Sequence, residues 1–153
     1  MSKKGDLYTA AFEKRLIRYQ KSSFTLMLHP LVSAFVWMMG ALGMNLGIGL
    51  RMPFSLMISF YMPEDIVINS VVSFVVLVIF ILLVILAVKG KIWALTTASV
   101  LYTIDFALLF FLIGKVEVIT FILELVLHLA FSVAIVFAHI FYFQADAMLK
   151  NPK

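Results

Sequence analysis

The chain has 153 residues, 64% of them hydrophobic, against roughly 45–50% in a typical soluble domain; a globule this small cannot hide the excess, so lipid must solvate much of it. Charged residues make up only 13% and cysteine is absent, which excludes disulfides, thiolate metal sites and a cysteine nucleophile. The net charge of +4 does not point to nucleic acid, because the basic residues flank apolar runs and act there as orientation signals.

The pattern predicts an all-α fold in one membrane domain, residues 1–153, with four transmembrane helices and an N-terminal amphipathic interfacial helix. That first helix is expected over residues 6–21. Asp6 caps it by accepting from free backbone N–H groups. Leu7, Ala11 and Phe12 give it an apolar side, and Lys14, Arg15, Arg18 and Lys21 a basic one suited to anionic headgroups. The first apolar run starts too late and runs too long for a cleavable signal core.

About 20 apolar residues cross a hydrocarbon layer of about 30 Å as a helix. Four runs qualify, at about 27–50, 66–88, 92–113 and 118–143. In the first, Ser33, Gly40, Gly43 and Gly47 share a face with His29 at about 100° per residue. Gly43 and Gly47 form a GxxxG pair, and Gly40, Gly43 and Gly47 are candidate helix-packing residues. Pro53–Met62 is apolar but too short to span, so a re-entrant or surface-lying segment is expected. The second span then opens at Pro63-Glu64-Asp65, residue types suited to a first turn. Ten of the twelve lysines and arginines fall on the side of the termini and the Lys89–Lys91 turn; only Arg51 and Lys115 fall on the other. This bias puts both termini in the cytoplasm of a multi-pass cell-membrane protein.

Two segments carry a resemblance. Trp37, Gly40 and Asn45 form W-x-x-G-x-x-x-x-N, and Gly90-Lys91-Ile92-Trp93-Ala94 is followed by Leu101-Tyr102-Thr103-Ile104-Asp105. They resemble G-K-x-W-A and L-Y-x-x-D motifs in a family of small bacterial four-helix membrane proteins of unassigned function. The chain departs from that pattern at Ala98, in place of a mid-helix glycine, and at Lys115, in place of an acidic residue. Its interval from Gly114 to His128 is also longer. The resemblance implies the four-helix architecture and singles out Asp105, but implies no activity.

The third and fourth runs carry ionisable groups at membrane depth: Asp105 in one, Glu124, His128 and His139 in the other. Counted from the turn between them, Asp105, Glu124 and His128 lie at a similar level across an antiparallel hairpin. Glu124 and His128, four apart, share a face. With Glu117, His139 and Asp146 they form a stripe within about 60° of one another, expected to face the bundle interior. A charged side chain at the centre of a span costs roughly 2.5–3.5 kcal/mol, so both carboxylates cannot cheaply remain ionised. The expected arrangement is a shared proton, with Asp105 hydrogen-bonded to Glu124 or His128 and Tyr102 adding a further bond. Ala94 and Ala98 flank Asp105 as small helix-packing residues. The candidate proton or cation cluster is therefore Asp105, Glu124, His128 and Tyr102. It serves either to pin the hairpin or to relay a proton or cation. A metal site of facial-triad type is the weaker reading, and no resident metal is expected.

His29 and His139 each lie near the same end of their spans by this count, a placement that would let them ligate a haem from both sides. Single histidines near helix ends more often meet the headgroup boundary, and no cofactor is expected. No nucleophile motif or phosphate loop appears, so enzymatic activity is not expected. Two functions remain. The first is an interaction, assembly or accessory subunit, partnered by lipid and by a second copy or another membrane protein, without nucleic acid. The alternative is a proton- or cation-coupled carrier that uses the acid–histidine cluster.

Overall fold

The computed structural model describes residues 3–44, 54, 66–112 and 118–150. They form helices α1 (Lys3–Thr25), α2 (Leu28–Ala41), α3 (Ile66–Val88), α4 (Ile92–Leu109) and α5 (Val118–Lys150), with a 3-10 turn over Phe110–Leu112 after α4. No strand occurs among the described residues. Four stretches are long and apolar enough to cross a membrane: Thr9–Met39, which joins α1 and α2, then Ser70–Val88, Ile92–Leu109 and Val118–Lys150.

The helices meet along seams of three- and four-residue spacing. On α3 the buried positions are Ser73, Leu77, Phe80, Leu83, Val84 and Ala87. The opposite side exposes Val71, Phe74, Val78 and Leu82. Ser73 apart, both sides are apolar, the pattern expected of a helix in hydrocarbon. Ala94 and Ala98 of α4 are fully buried in the same core as Phe80, Val84 and Ala87, in keeping with their expected packing role. α5 contributes Phe131, Ala138 and Ala145 at seven-residue intervals.

The first span differs most from expectation. α1 makes the most extensive helix–helix contact in the fold, along α5, and also packs on α3. Tyr19, Ser23 and Leu26 are buried. The Tyr19 hydroxyl donates to the carbonyl of Ala87, and its ring meets Tyr142 edge-on at 5.5 Å. Tyr19 is therefore level with the end of α3 beside Gly90, and the chain from Tyr19 onward lies inside the bundle, about eight residues earlier than the expected start at 27. The buried positions 19, 23, 26, 30 and 33 continue one seam through the break between α1 and α2. Lys14, Arg18 and Lys21 stay exposed on the other side, and the Arg18 guanidinium lies 5.9 Å from the Phe141 ring centroid. Asp6 lies where no side chain is described.

α2 ends at Ala41, short of the expected 50. The Met44 N–H donates to the Met39 carbonyl at 3.0 Å, and Gly43 has φ 79°. Gly43 is thus the left-handed residue that closes the helix. Among the described residues a Cβ there would meet nothing within 4 Å, so its part in the structure is the helix end and not the packing face expected of it. Gly47 lies outside the described residues. Gly90 closes α3 in the same way, with φ 87° and the Lys91 N–H donating to Leu86 at 3.1 Å. Phe54 is buried against Phe80, ring centroids 5.2 Å apart; the rest of Pro53–Met62 lies outside the described residues.

Candidate functional site

Three helices converge on one buried polar cluster. α4 supplies Tyr102 and Asp105, which lie on its seam. α5 supplies Glu124 and His128, one turn apart. α2 supplies His29 from its first turn. The four ionisable residues are 5% (His29), 6% (Asp105), 4% (Glu124) and 3% (His128) exposed. The sequence-predicted group Tyr102, Asp105, Glu124 and His128 is thus brought together.

His29 is the residue that sequence reasoning placed elsewhere. It sits against the cluster because Tyr19, not Met27, marks the Gly90 end of its span. Ten residues of helix carry the chain roughly 15 Å deeper from there. Its Nδ1 is 2.8 Å from the Tyr102 hydroxyl, and its Nε2 is 3.7 Å from Oε2 of Glu124. Its ring lies edge-on to His128 at 4.6 Å and stacks on Phe131 at 5.2 Å. The signal in the sequence that could have found it was the face it shares with Ser33.

His128 has a defined tautomer. Its Nδ1 is 2.8 Å from the Glu124 carbonyl oxygen, which can only accept, so Nδ1 carries the proton. Nε2 faces Oδ2 of Asp105 at 3.6 Å, and in the neutral ring it presents a lone pair there. That separation exceeds the hydrogen-bond range, so Asp105 neighbours His128 without the expected direct bond. Glu124 Oε2 lies 3.8 Å from Nδ1 of His128. Tyr102 and Phe106 stack on the His128 ring at 5.2 and 5.4 Å and hold its plane. Among the described residues, Nε2 of His128 and Oδ1 of Asp105 are buried without a hydrogen-bond partner, as are the hydroxyls of Ser23 and Ser33. Such orphans are uncommon among buried polar atoms and call for a ligand, a proton or water.

His139 and Asp146 of the expected polar stripe do not join the site. His139 is half-buried and donates from Nδ1 to the Ile135 carbonyl at 3.0 Å. Asp146 pairs with Lys150 at 2.7 Å. Glu117 lies outside the described residues. His139 follows His128 by roughly 16 Å of helix, so His29 and His139 are not level and cannot share a haem. A porphyrin cannot enter between His29 and His128 either, with ring centroids only 4.6 Å apart.

Comparison with models of known protein families, with curated proteins and with solved structures returned no match. What is shown is a helical chain with four stretches long and apolar enough to be membrane spans, compatible with a small membrane protein.

Proposed function

We propose that this chain is a small multi-pass protein of the cell membrane that handles a proton or cation at the buried cluster, in the manner of a coupled carrier. The observation that carries the reading is that two ionisable side chains of the cluster hold atoms with no hydrogen-bond partner among the described residues, Nε2 of His128 and Oδ1 of Asp105. Residues that only pin helices together would be expected to satisfy each other's hydrogen bonds, since unpaired polar atoms in hydrocarbon are costly. Intramembrane ionisable residues facing a bundle interior mark ion and proton pathways. The positive-inside bias supports cytoplasmic termini, with the Gly90 end of the bundle toward the cytoplasm.

The test is flux in proteoliposomes. With a pH-sensitive dye inside, the parent protein dissipates an imposed proton or cation gradient, and Asp105→Asn at equal incorporation does not. A parent protein that moves neither protons, alkali cations nor divalent cations sinks the carrier reading.

A second reading, an assembly or accessory subunit, has its own support. α2 packs only lightly on α1 and α5. It leaves Leu31, Val32, Phe35 and Met38 exposed, a face that a membrane-protein partner or a second copy would cover. Affinity purification from native membranes distinguishes the two: a stoichiometric partner, with Asp105→Asn silent, favours assembly.

A further inference from the structure

The two histidines of the cluster are prepared in the same way. In each, Nδ1 is engaged by a neighbouring oxygen: the Tyr102 hydroxyl for His29 and the Glu124 carbonyl for His128, both at 2.8 Å. In each, Nε2 faces a carboxylate oxygen, at 3.7 Å for His29 with Glu124 and 3.6 Å for His128 with Asp105. Histidines that bind metal almost always donate their other ring N–H to such a partner, which fixes tautomer and ring plane.

The spacing also has a chemical meaning. Two ligands at 2.0–2.2 Å from a tetrahedral ion lie roughly 3.3–3.6 Å apart. The Nε2-to-carboxylate separations are too long for hydrogen bonds and close to that edge. One ligand atom from each of His29, Glu124 and His128 can be chosen so that all lie within 4.8 Å of one another.

We infer that His29, Glu124 and His128 bind a divalent first-row transition cation of the zinc class, with Asp105 supplying the second negative charge. The inference rests on the reading of this cluster as a proton- or cation-handling site and names its ion. Imidazole donors disfavour magnesium and calcium, which take oxygen shells. The absence of thiolates disfavours soft copper(I). Charge selects the valence: two carboxylates and two neutral imidazoles carry −2, which a divalent ion cancels and a monovalent ion does not. In hydrocarbon the neutral assembly is the inexpensive one. Stacking of the two rings on Tyr102, Phe106 and Phe131 keeps them in place. Tyr102 is a positioning residue that acts through His29.

The experiment uses the full chain, purified in detergent, stripped of metal and titrated near neutral pH with cobalt(II) and then zinc(II). The expected result is one cobalt per chain, with the intense visible bands of a low-coordinate site that zinc abolishes. His128→Gln and Glu124→Gln should weaken binding by at least about 100-fold, and Tyr102→Phe by about 10–100-fold with altered bands. His139→Gln, off the cluster, should bind as the parent does. Thermal melting of each metal-free variant checks that it is folded, and Asp105→Asn, nearly the same shape as aspartate, serves where another variant is not. The inference is overturned if the parent binds neither ion stoichiometrically, or if His139→Gln loses binding as His128→Gln does. Flux that needs Asp105 without any metal binding rejects the ion class and leaves the cluster reading in place; absence of both rejects both.

Discussion

A single hydrogen bond sets much of the chemistry at residue scale. Because the Glu124 carbonyl takes the proton-bearing Nδ1 of His128, the neutral ring is left with Nε2 as an acceptor facing Asp105. Tyr19 shows the same economy at the opposite end of the bundle, its hydroxyl linking α1 to the last turn of α3 at Ala87. Tyr19→Phe keeps the ring contact with Tyr142 and removes that bond. It should lower stability by about 1 kcal/mol, read as a fall in the thermal midpoint in detergent; an unchanged midpoint would mean the bond adds nothing. Gly90 offers a cleaner case. A Cβ there meets nothing within 4 Å, yet φ is 87°. Gly90→Ala should therefore cost about 1–2 kcal/mol through backbone strain alone. Gly43→Ala should behave alike, since its φ is 79° and no described residue lies within 4 Å of its Cβ position.

At the scale of elements, α3 and α4 approach closely because small residues face each other. Ala87, Ala94 and Ala98 are all fully buried. Ala98→Leu should force the helices apart and destabilise by about 1–3 kcal/mol. Val100→Leu, on the exposed side of α4, should stay within about 0.5 kcal/mol. Equal melting of the two variants would refute the contact. α1 makes a different point. Its basic residues read as a surface helix, while Tyr19, Ser23 and Leu26 on the other side belong to the core. Long basic side chains can sit on the rim of a bundle with their charges in water, so their presence does not mark where the interior begins.

For the whole molecule, the bundle brings α2 against α4 and α5, and so assembles a site from three helices. Reporter fusions before residue 3, at the Gly90 turn and after Lys153 should all read as cytoplasmic, and one at Lys115 as external. An external C-terminus would contradict four spans with the positive-inside orientation. The separation of His29 from His139 leads to a further expectation. Protein purified from haem-sufficient cells should be colourless, and His139→Ala should change no visible band; a Soret band lost in that variant would place the two histidines together after all.

Much of the architecture is legible without the tertiary structure. Apolar composition and run length imply lipid-solvated helices, and α3 ends at Val88 beside Gly90. Counting along the sequence brings Asp105 level with Glu124 and His128, because only a few residues separate the two apolar runs and a rise of about 1.5 Å per residue does the rest. The same count fails for His29. Some two dozen residues of sequence separate α2 from α3, too many for a count to carry depth from one to the other, and the first span begins under cover of a basic helix face. Which turn of α2 meets α4 and α5 depends on packing between helices distant in sequence, namely Tyr19 on Ala87, His29 on Tyr102 and Phe131 on His29. Local periodicity identified the faces; only the docking of those faces decided that His29 completes the cluster.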